Sequence, residues 1–140
     1  MLLVPTYTIQ DPIRGTETHA EKFIPAGTVT WRLSAIDAVL TYQDYQSLPE
    51  TARQHIDQFG YWCFRNSRYV LPGDNAKHMK HQAMPNIVGV YDSPKEPFGI
   101  DIAMRDILPH ERLTCNFAEF DGEWDRKGLV VVAPRAIVAA

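Results

Sequence analysis

Prolines and glycines are the feature of this sequence that most restricts its fold. Ten prolines and eight glycines are spread over the whole length of 140 residues, so uninterrupted stretches are short. Proline breaks helices and is excluded from the middle of sheets, and glycine favours turns. The chain is therefore expected to build many short elements rather than a few long helices.

Two stretches have the pattern of a helix. Ser34 can cap a helix over AIDAVLTYQDYQ, and Pro49 stands at a first-turn position before ETARQHIDQF, which Gly60 ends. The other patterns indicate short strands, too closely spaced for a parallel βαβ sheet. The predicted fold class is mostly β, with several short antiparallel sheets and a helical insert near residues 34–60. The predicted strands lie within residues 23–33, 61–65, 68–71, 86–92, 98–106, 112–117 and 128–134.

Length and charge limit the class of protein. A chain of 140 residues is expected to form one domain, residues 1–140, with a core of its own. The 14 Lys and Arg are scattered among 17 Asp and Glu, which gives a net charge of −3. Because a nucleic-acid-binding domain normally carries a basic patch, neither direct nucleic-acid binding nor attachment to an anionic membrane is expected.

The cellular compartment is predicted from what the sequence lacks. No stretch approaches the roughly 18 apolar residues of a membrane span, and the start, MLLVPTYTIQDP, lacks a basic region and reaches Pro5 at once. Cys63 and Cys115 are far apart in apolar and aromatic segments, so two buried thiols are expected instead of a disulfide. These features together favour the cytoplasm.

Three blocks of sequence carry a family resemblance. Residues 98–121 read FGIDIAMRDILPHERLTCNFAEFD, which resembles the C-terminal signature of SET domains, the fold of protein-lysine methyltransferases. GDNAKHMKHQAMPN, residues 73–86, aligns without gaps on that family's G-N-x-A-R-F-x-N-H-S-x-x-P-N, and HAEKFIPAGTVTW, residues 19–31, resembles its opening block. The blocks follow the family's order and the resemblance covers about residues 13–121, which leaves 122–140 as a C-terminal extension.

The resemblance implies a fold, a cofactor and a substrate class. It implies a SET domain with a knot-like threading of residues 73–86, S-adenosylmethionine bound on one face, and a lysine of a protein or peptide entering a channel from the other. It places His81 and Gly15 in the cofactor site and puts Trp124 where some relatives stack an aromatic ring on adenine, although packing alone also explains an aromatic residue there. Candidates for the lysine channel are Tyr61, Trp62, Phe64 and Tyr69.

His78 and His81 also have the spacing of metal ligands. Two histidines three residues apart can bind a metal ion. In the alignment, however, His78 occupies a position that is usually Phe, so the spacing is interpreted as accidental. No metal is expected.

Several residues depart from the family pattern at positions where chemistry is expected. Phe117 takes the position of the family's tyrosine, so the ring remains and the hydroxyl is lost, and Lys80 replaces the asparagine that holds the methionine end of the cofactor. Glu17 stands at the second glycine of a Gly-x-Gly. Its negative charge could offset the Lys80 cation, so the hypothesis is that Glu17 and Lys80 form an ion pair. Two smaller departures are Asn116 for an acid and His110 for a turn glycine.

Two classes of function remain open from the sequence. The first is an S-adenosylmethionine-dependent protein-lysine methyltransferase with an atypical active site. The second is an inactive SET domain, a pseudoenzyme that serves as a binding or interaction module. A different small-molecule site on the same fold is a weaker alternative, and a homodimer is compatible with so small a domain.

Overall fold

A computed structural model describes residues 1–125 of the protein. Ten short strands and two short helices account for the regular structure, together with 3₁₀ turns at Asn75–His78 and Phe117–Glu119. The strands are β1 (Thr6–Asp11), β2 (Gly15–Ala20), β3 (Val29–Arg32), β4 (Ala38–Leu40), β5 (Tyr61–Cys63), β6 (Arg68–Leu71), β7 (Lys80–His81), β8 (Ile87–Val90), β9 (Ile100–Ala103) and β10 (Thr114–Cys115). The helices are α1 (Tyr42–Ser47) and α2 (Glu50–Phe59).

The strands form four small sheets. β1 and β2 make an antiparallel hairpin, β3-β9-β8 and β4-β6-β5 are antiparallel three-stranded sheets, and β7 pairs with β10 in parallel. The predicted fold class, mostly β with several short antiparallel sheets and a helical insert, is confirmed. The predicted strand at 128–134 lies outside the described residues.

The helix predicted over residues 35–46 is wrong in its first half. Residues 38–40 form β4, whose Val39 pairs with Val70 of β6, and α1 begins only after Thr41. Thr41 and Asp44 form a capping box, so the helix start is fixed there and not at Ser34. The second predicted helix is confirmed at Glu50–Phe59, between Pro49 and Gly60.

The parallel pairing of β7 with β10 joins residues 80–81 to residues 114–115. Buried Asn86 reinforces it, because its side chain accepts from the Thr114 backbone N–H at 2.8 Å and donates to the Arg112 carbonyl at 2.8 Å. The knot-like threading of residues 73–86 stays a prediction. The hydrophobic core is built from Ala20, Ile24, Met79, Ile87, Ala103, Ile107, Leu113 and Cys115.

Both cysteines are free and buried, as predicted. No helix within residues 1–125 is long and apolar enough to cross a membrane.

Candidate functional site

A cavity of about 80 Å³ lies between the β3-β9-β8 sheet, the end of α2 and the last described turn. Its walls are largely aromatic, and Asp101 and Asp121 are the carboxylates among the residues that line it. Apolar cavities with a few polar groups are the usual form of a ligand site. The aromatic lining residues are Trp31, Phe59, Tyr61, Tyr91, Phe98, Phe117 and Phe120.

The central strand of the β3-β9-β8 sheet places an acid in this wall. Asp101 lies on β9 opposite Trp31 of β3, so both side chains project from the same face of the sheet. Ala103, two residues on, points to the same face and is buried in the core. The alternation within β9 therefore turns Asp101 and Ala103 to the inner face, and Met104, just after the strand, is 63% exposed.

Two glycines make room for the Tyr91 ring. A Cβ atom built on Gly89 would lie 2.6 Å from the Tyr91 Oη, and one built on Gly99 would lie 2.5 Å from ring carbons of Tyr91. Gly99 also has φ +74°, a backbone conformation that glycine adopts readily. The Arg65 guanidinium lies 3.6 Å from the centre of the ring. Tyr91 is thus held in the cavity wall by backbone on one side and a cation on another.

The two carboxylates of the cavity have different environments. Asp121 Oδ1 accepts from the backbone N–H groups of Trp62 at 3.1 Å and Glu123 at 2.9 Å. The Asp101 carboxylate, in contrast, has no hydrogen-bond or ion-pair partner within residues 1–125, yet keeps some accessible surface. Burial, reinforced by the negative charge of Glu119 and opposed by the N-terminal ammonium, raises the pKa of Asp101 to about 7.

Asp101 also affects the groups around it. Burial raises the pKa of Tyr61, Tyr91 and Cys115, and the negative charge of Asp101 raises all three further. The two tyrosines therefore remain neutral hydroxyl groups at physiological pH. A carboxyl group with a strongly perturbed pKa in an aromatic cavity is a common mark of a functional site.

The predicted site residues His81, Phe117 and Trp124 come together beside the cavity. His81 Nδ1 accepts the Phe117 backbone N–H at 3.1 Å, and the imidazole stacks on Trp124 with ring centres 5.7 Å apart. Burial lowers the pKa of His81, so the ring is neutral and Nδ1 is free to accept this bond. Phe117 lines the cavity with its ring.

The hypothesis of a Glu17–Lys80 ion pair is wrong. The buried Glu17 carboxylate pairs instead with Arg14 at 2.8 Å and with Arg112 at 2.9 Å. These two arginines lower the pKa of Glu17 although burial acts in the opposite direction. Residue 17 thus holds the β1–β2 hairpin to the segment before β10.

Gly15 and Lys80 are positioned by backbone structure. Gly15 begins β2 with φ +76° and is exposed, where glycine relieves strain at the hairpin turn. Lys80 is half-buried on β7, opposite Thr114.

His78 packs its ring on Phe59, with ring centres 5.5 Å apart. No three His, Cys, Asp or Glu residues within 1–125 are grouped as metal ligands.

Sequence reasoning identified only part of the cavity. Of the four candidates for a lysine channel, Tyr61 lines it, whereas Trp62 and Tyr69 pack edge to face on each other at 4.8 Å and Phe64 is 48% exposed. Asp101 and Tyr91 were missed. An acid inside an otherwise apolar strand pattern was the available signal for Asp101.

Comparison with known proteins adds a fold relationship. No family model and no curated protein matches this sequence. Among solved structures 222 chains match, so the fold is not new. One is the crystal structure of a candidate histone methyltransferase from Plasmodium falciparum, with a TM-score of 0.56 and 13% identity over 83% of this chain and 95% of that chain. At this identity the likeness shows the fold alone, which is methyltransferase-like.

Proposed function

We propose that this protein is a SET domain that binds S-adenosylmethionine and methylates a lysine side chain of a protein or peptide. The observation that carries the proposal is the aromatic cavity that Phe117 lines, next to the His81–Trp124 stack. The methyltransferase-like fold supports it. His110 supports the alignment, because it has φ +71° at the turn where the family has glycine.

The residues beside the cavity are chemically compatible with this cofactor. Adenine stacks on aromatic rings, and Trp124 offers such a ring in a half-buried position. The methionine end of the cofactor carries a carboxylate, with which the Lys80 ammonium would form an ion pair. This attraction offsets the repulsion between Lys80 and the cationic sulfonium. Gly15 and Glu17 lie in the β1–β2 hairpin, which is proposed to form part of the cofactor-binding side. There the Glu17 carboxylate holds the side chains of Arg14 and Arg112 in place.

The cavity is compatible with the end of a lysine side chain. A bound water needs about 10–15 Å³ of such space, so about 80 Å³ holds roughly five to eight groups of that size. A lysine side chain has five non-hydrogen atoms. S-adenosylmethionine would supply the methyl group: the lysine ammonium first loses a proton to water, the amine nitrogen then forms the new N–C bond as the C–S bond breaks, and S-adenosylhomocysteine leaves with the electron pair of that bond.

The same cavity also favours a second candidate, a binding module without catalysis. Phe117 offers no hydroxyl to orient the amine or the transferred methyl group, and loss of one such positioned group reduces rates by about 10² to 10³. The neutral hydroxyls of Tyr61 and Tyr91 are candidates to replace it. A module of this kind would keep the lysine site and lose turnover.

A turnover assay separates the two candidates. Purified protein is incubated with S-adenosylmethionine and a library of lysine-containing peptides, and S-adenosylhomocysteine is measured for the natural sequence and for Phe117→Tyr. Phe120→Tyr is the matched control, because Phe120 also lines the cavity but does not stand at the position of the family's tyrosine. Product from the natural sequence supports the methyltransferase, whereas product from Phe117→Tyr alone, or from neither protein, supports the binding module.

A further inference from the structure

The cavity contains a carboxylate that the protein leaves unpaired. Buried charges are normally paired or hydrogen-bonded, since an isolated carboxylate loses its hydration without compensation. Asp121 follows this rule through two backbone N–H donors. Asp101 is half-buried, and within the part of the chain that the structure describes no donor or cation contacts its carboxylate.

The nearby cations do not fill this role. Lys77 lines the cavity, but its ammonium lies 5.8 Å from the Phe59 ring and forms no ion pair with Asp101. The Arg65 guanidinium is committed to the rings of Tyr91 and Phe64, at 3.6 and 4.6 Å. The N-terminal ammonium, in turn, is paired with Asp37 at 2.9 Å. Among residues 1–125 the position opposite Asp101 is thus open to a cation brought by a ligand.

We propose that this cavity binds a primary alkylammonium group, and that the Asp101 carboxylate recognises its charge. Aromatic rings attract a cation through their faces, and a carboxylate accepts its N–H donors. An anion would be repelled by Asp101. A neutral apolar group of the same size would fill the cavity and leave the carboxylate unpaired.

This inference deepens the proposed function, on which it rests for the identity of the occupant as the end of a lysine side chain. Recognition of the charge requires neither S-adenosylmethionine nor turnover, so binding is measured without the cofactor. Asp101 also acts in the same way in an inactive binding module.

The test is a titration of the 140-residue chain at about pH 8, where the Asp101 carboxyl group is ionised, with n-butylammonium, which has the atoms of a lysine side chain, and with 1-butanol as a neutral probe of similar size. Binding is followed by NMR through backbone amides and the indole N–H signals. The indole of Trp31 is the most informative reporter, because Trp31 faces Asp101 across the β3–β9 pair.

Asp101→Asn keeps the size of the side chain and removes its charge. We expect it to weaken n-butylammonium binding by at least about tenfold, which corresponds to about 1.4 kcal/mol, and to leave 1-butanol binding unchanged. Asp92→Asn is the matched control, since Asp92 is exposed. Equal n-butylammonium affinity in the natural sequence and Asp101→Asn, or no saturable binding to the natural sequence, overturns the inference.

A second pair of variants tests the cavity wall. Gly99→Ala and Gly27→Ala introduce the same strain, at φ +74° and +84°, but only the first places a methyl group against Tyr91. We expect weaker n-butylammonium binding in Gly99→Ala alone. Methylation of peptides without n-butylammonium binding would refute this inference and leave the proposed function intact. Binding of n-butylammonium without methylation would support this inference and count against the proposed methyltransferase activity.

Discussion

Replacement of Asp101 by asparagine is expected to change how the stability of the protein depends on pH. The folded protein raises the pKa of Asp101 from 3.8 to about 7. Between these values the folded state binds more protons than the unfolded state, so this group makes the protein less stable as the pH rises. The contribution is favourable below the unfolded pKa and is fully lost once the pH exceeds the folded pKa.

The size of the effect follows from the shift. Each pKa unit corresponds to about 1.4 kcal/mol, so the total loss approaches about 4 kcal/mol above the folded pKa. Roughly a third of this loss has already occurred at about pH 5, since the unfolded carboxyl group is then ionised. Between about pH 5 and pH 8, the natural sequence should therefore lose about 2–3 kcal/mol more than Asp101→Asn.

Urea denaturation at these two pH values measures the difference directly. Asp101→Asn removes the titration, and Asp92→Asn removes an exposed carboxyl group as a control. Other groups titrate in all three proteins and cancel in the comparison. Free energies of unfolding that change equally with pH, within about 0.5 kcal/mol, in the natural sequence and Asp101→Asn would refute the argument that Asp101 is an unpaired, half-buried acid.

Three further predictions concern the site and its supports. Phe117→Tyr should raise turnover by about 10² if the missing hydroxyl limits the rate, and an unchanged rate of S-adenosylhomocysteine release would contradict this. Asn86→Ala should lower the free energy of unfolding by about 2–4 kcal/mol, because it leaves the Thr114 N–H and the Arg112 carbonyl without their hydrogen-bond partner. Gln82 is exposed, so Gln82→Ala should lower the free energy of unfolding by less than about 0.5 kcal/mol in the same urea titration. Glu17→Gln should destabilise the protein at neutral pH and have no such effect in acid. The reason is that the pKa of Glu17 is lowered in the folded protein, so the stabilisation by its carboxylate disappears as the pH falls through that pKa. Equal destabilisation at both pH values would contradict this prediction.

The sequence predicted the class of fold because its short elements are locally encoded. Pro49 and Gly60 bound α2, and the turn at Asn66 and Ser67 separates β5 from β6. The first half of the predicted helix failed for a non-local reason: residues 38–40 pair with β6, about thirty positions along the chain, and this pairing outweighs local helix preference.

The candidate site was predicted where motifs specify backbone positions and missed where packing decides. His81, Phe117 and Trp124 come together because the motif segments pair through β7 and β10. Asp101 could not be placed in the cavity from the pattern alone, since alternation shows which residues share a face but not which face is buried. The partner of Glu17 was likewise decided by tertiary contacts with Arg112.

The central claim is that this domain binds S-adenosylmethionine, and calorimetric titration of the purified protein tests it most directly. S-adenosylmethionine and S-adenosylhomocysteine are titrated in parallel, with a thermal-shift measurement of each. The account predicts saturable binding with a Kd of roughly micromolar size, which corresponds to about −8 kcal/mol. No heat and no thermal shift at millimolar concentrations of either ligand would contradict it.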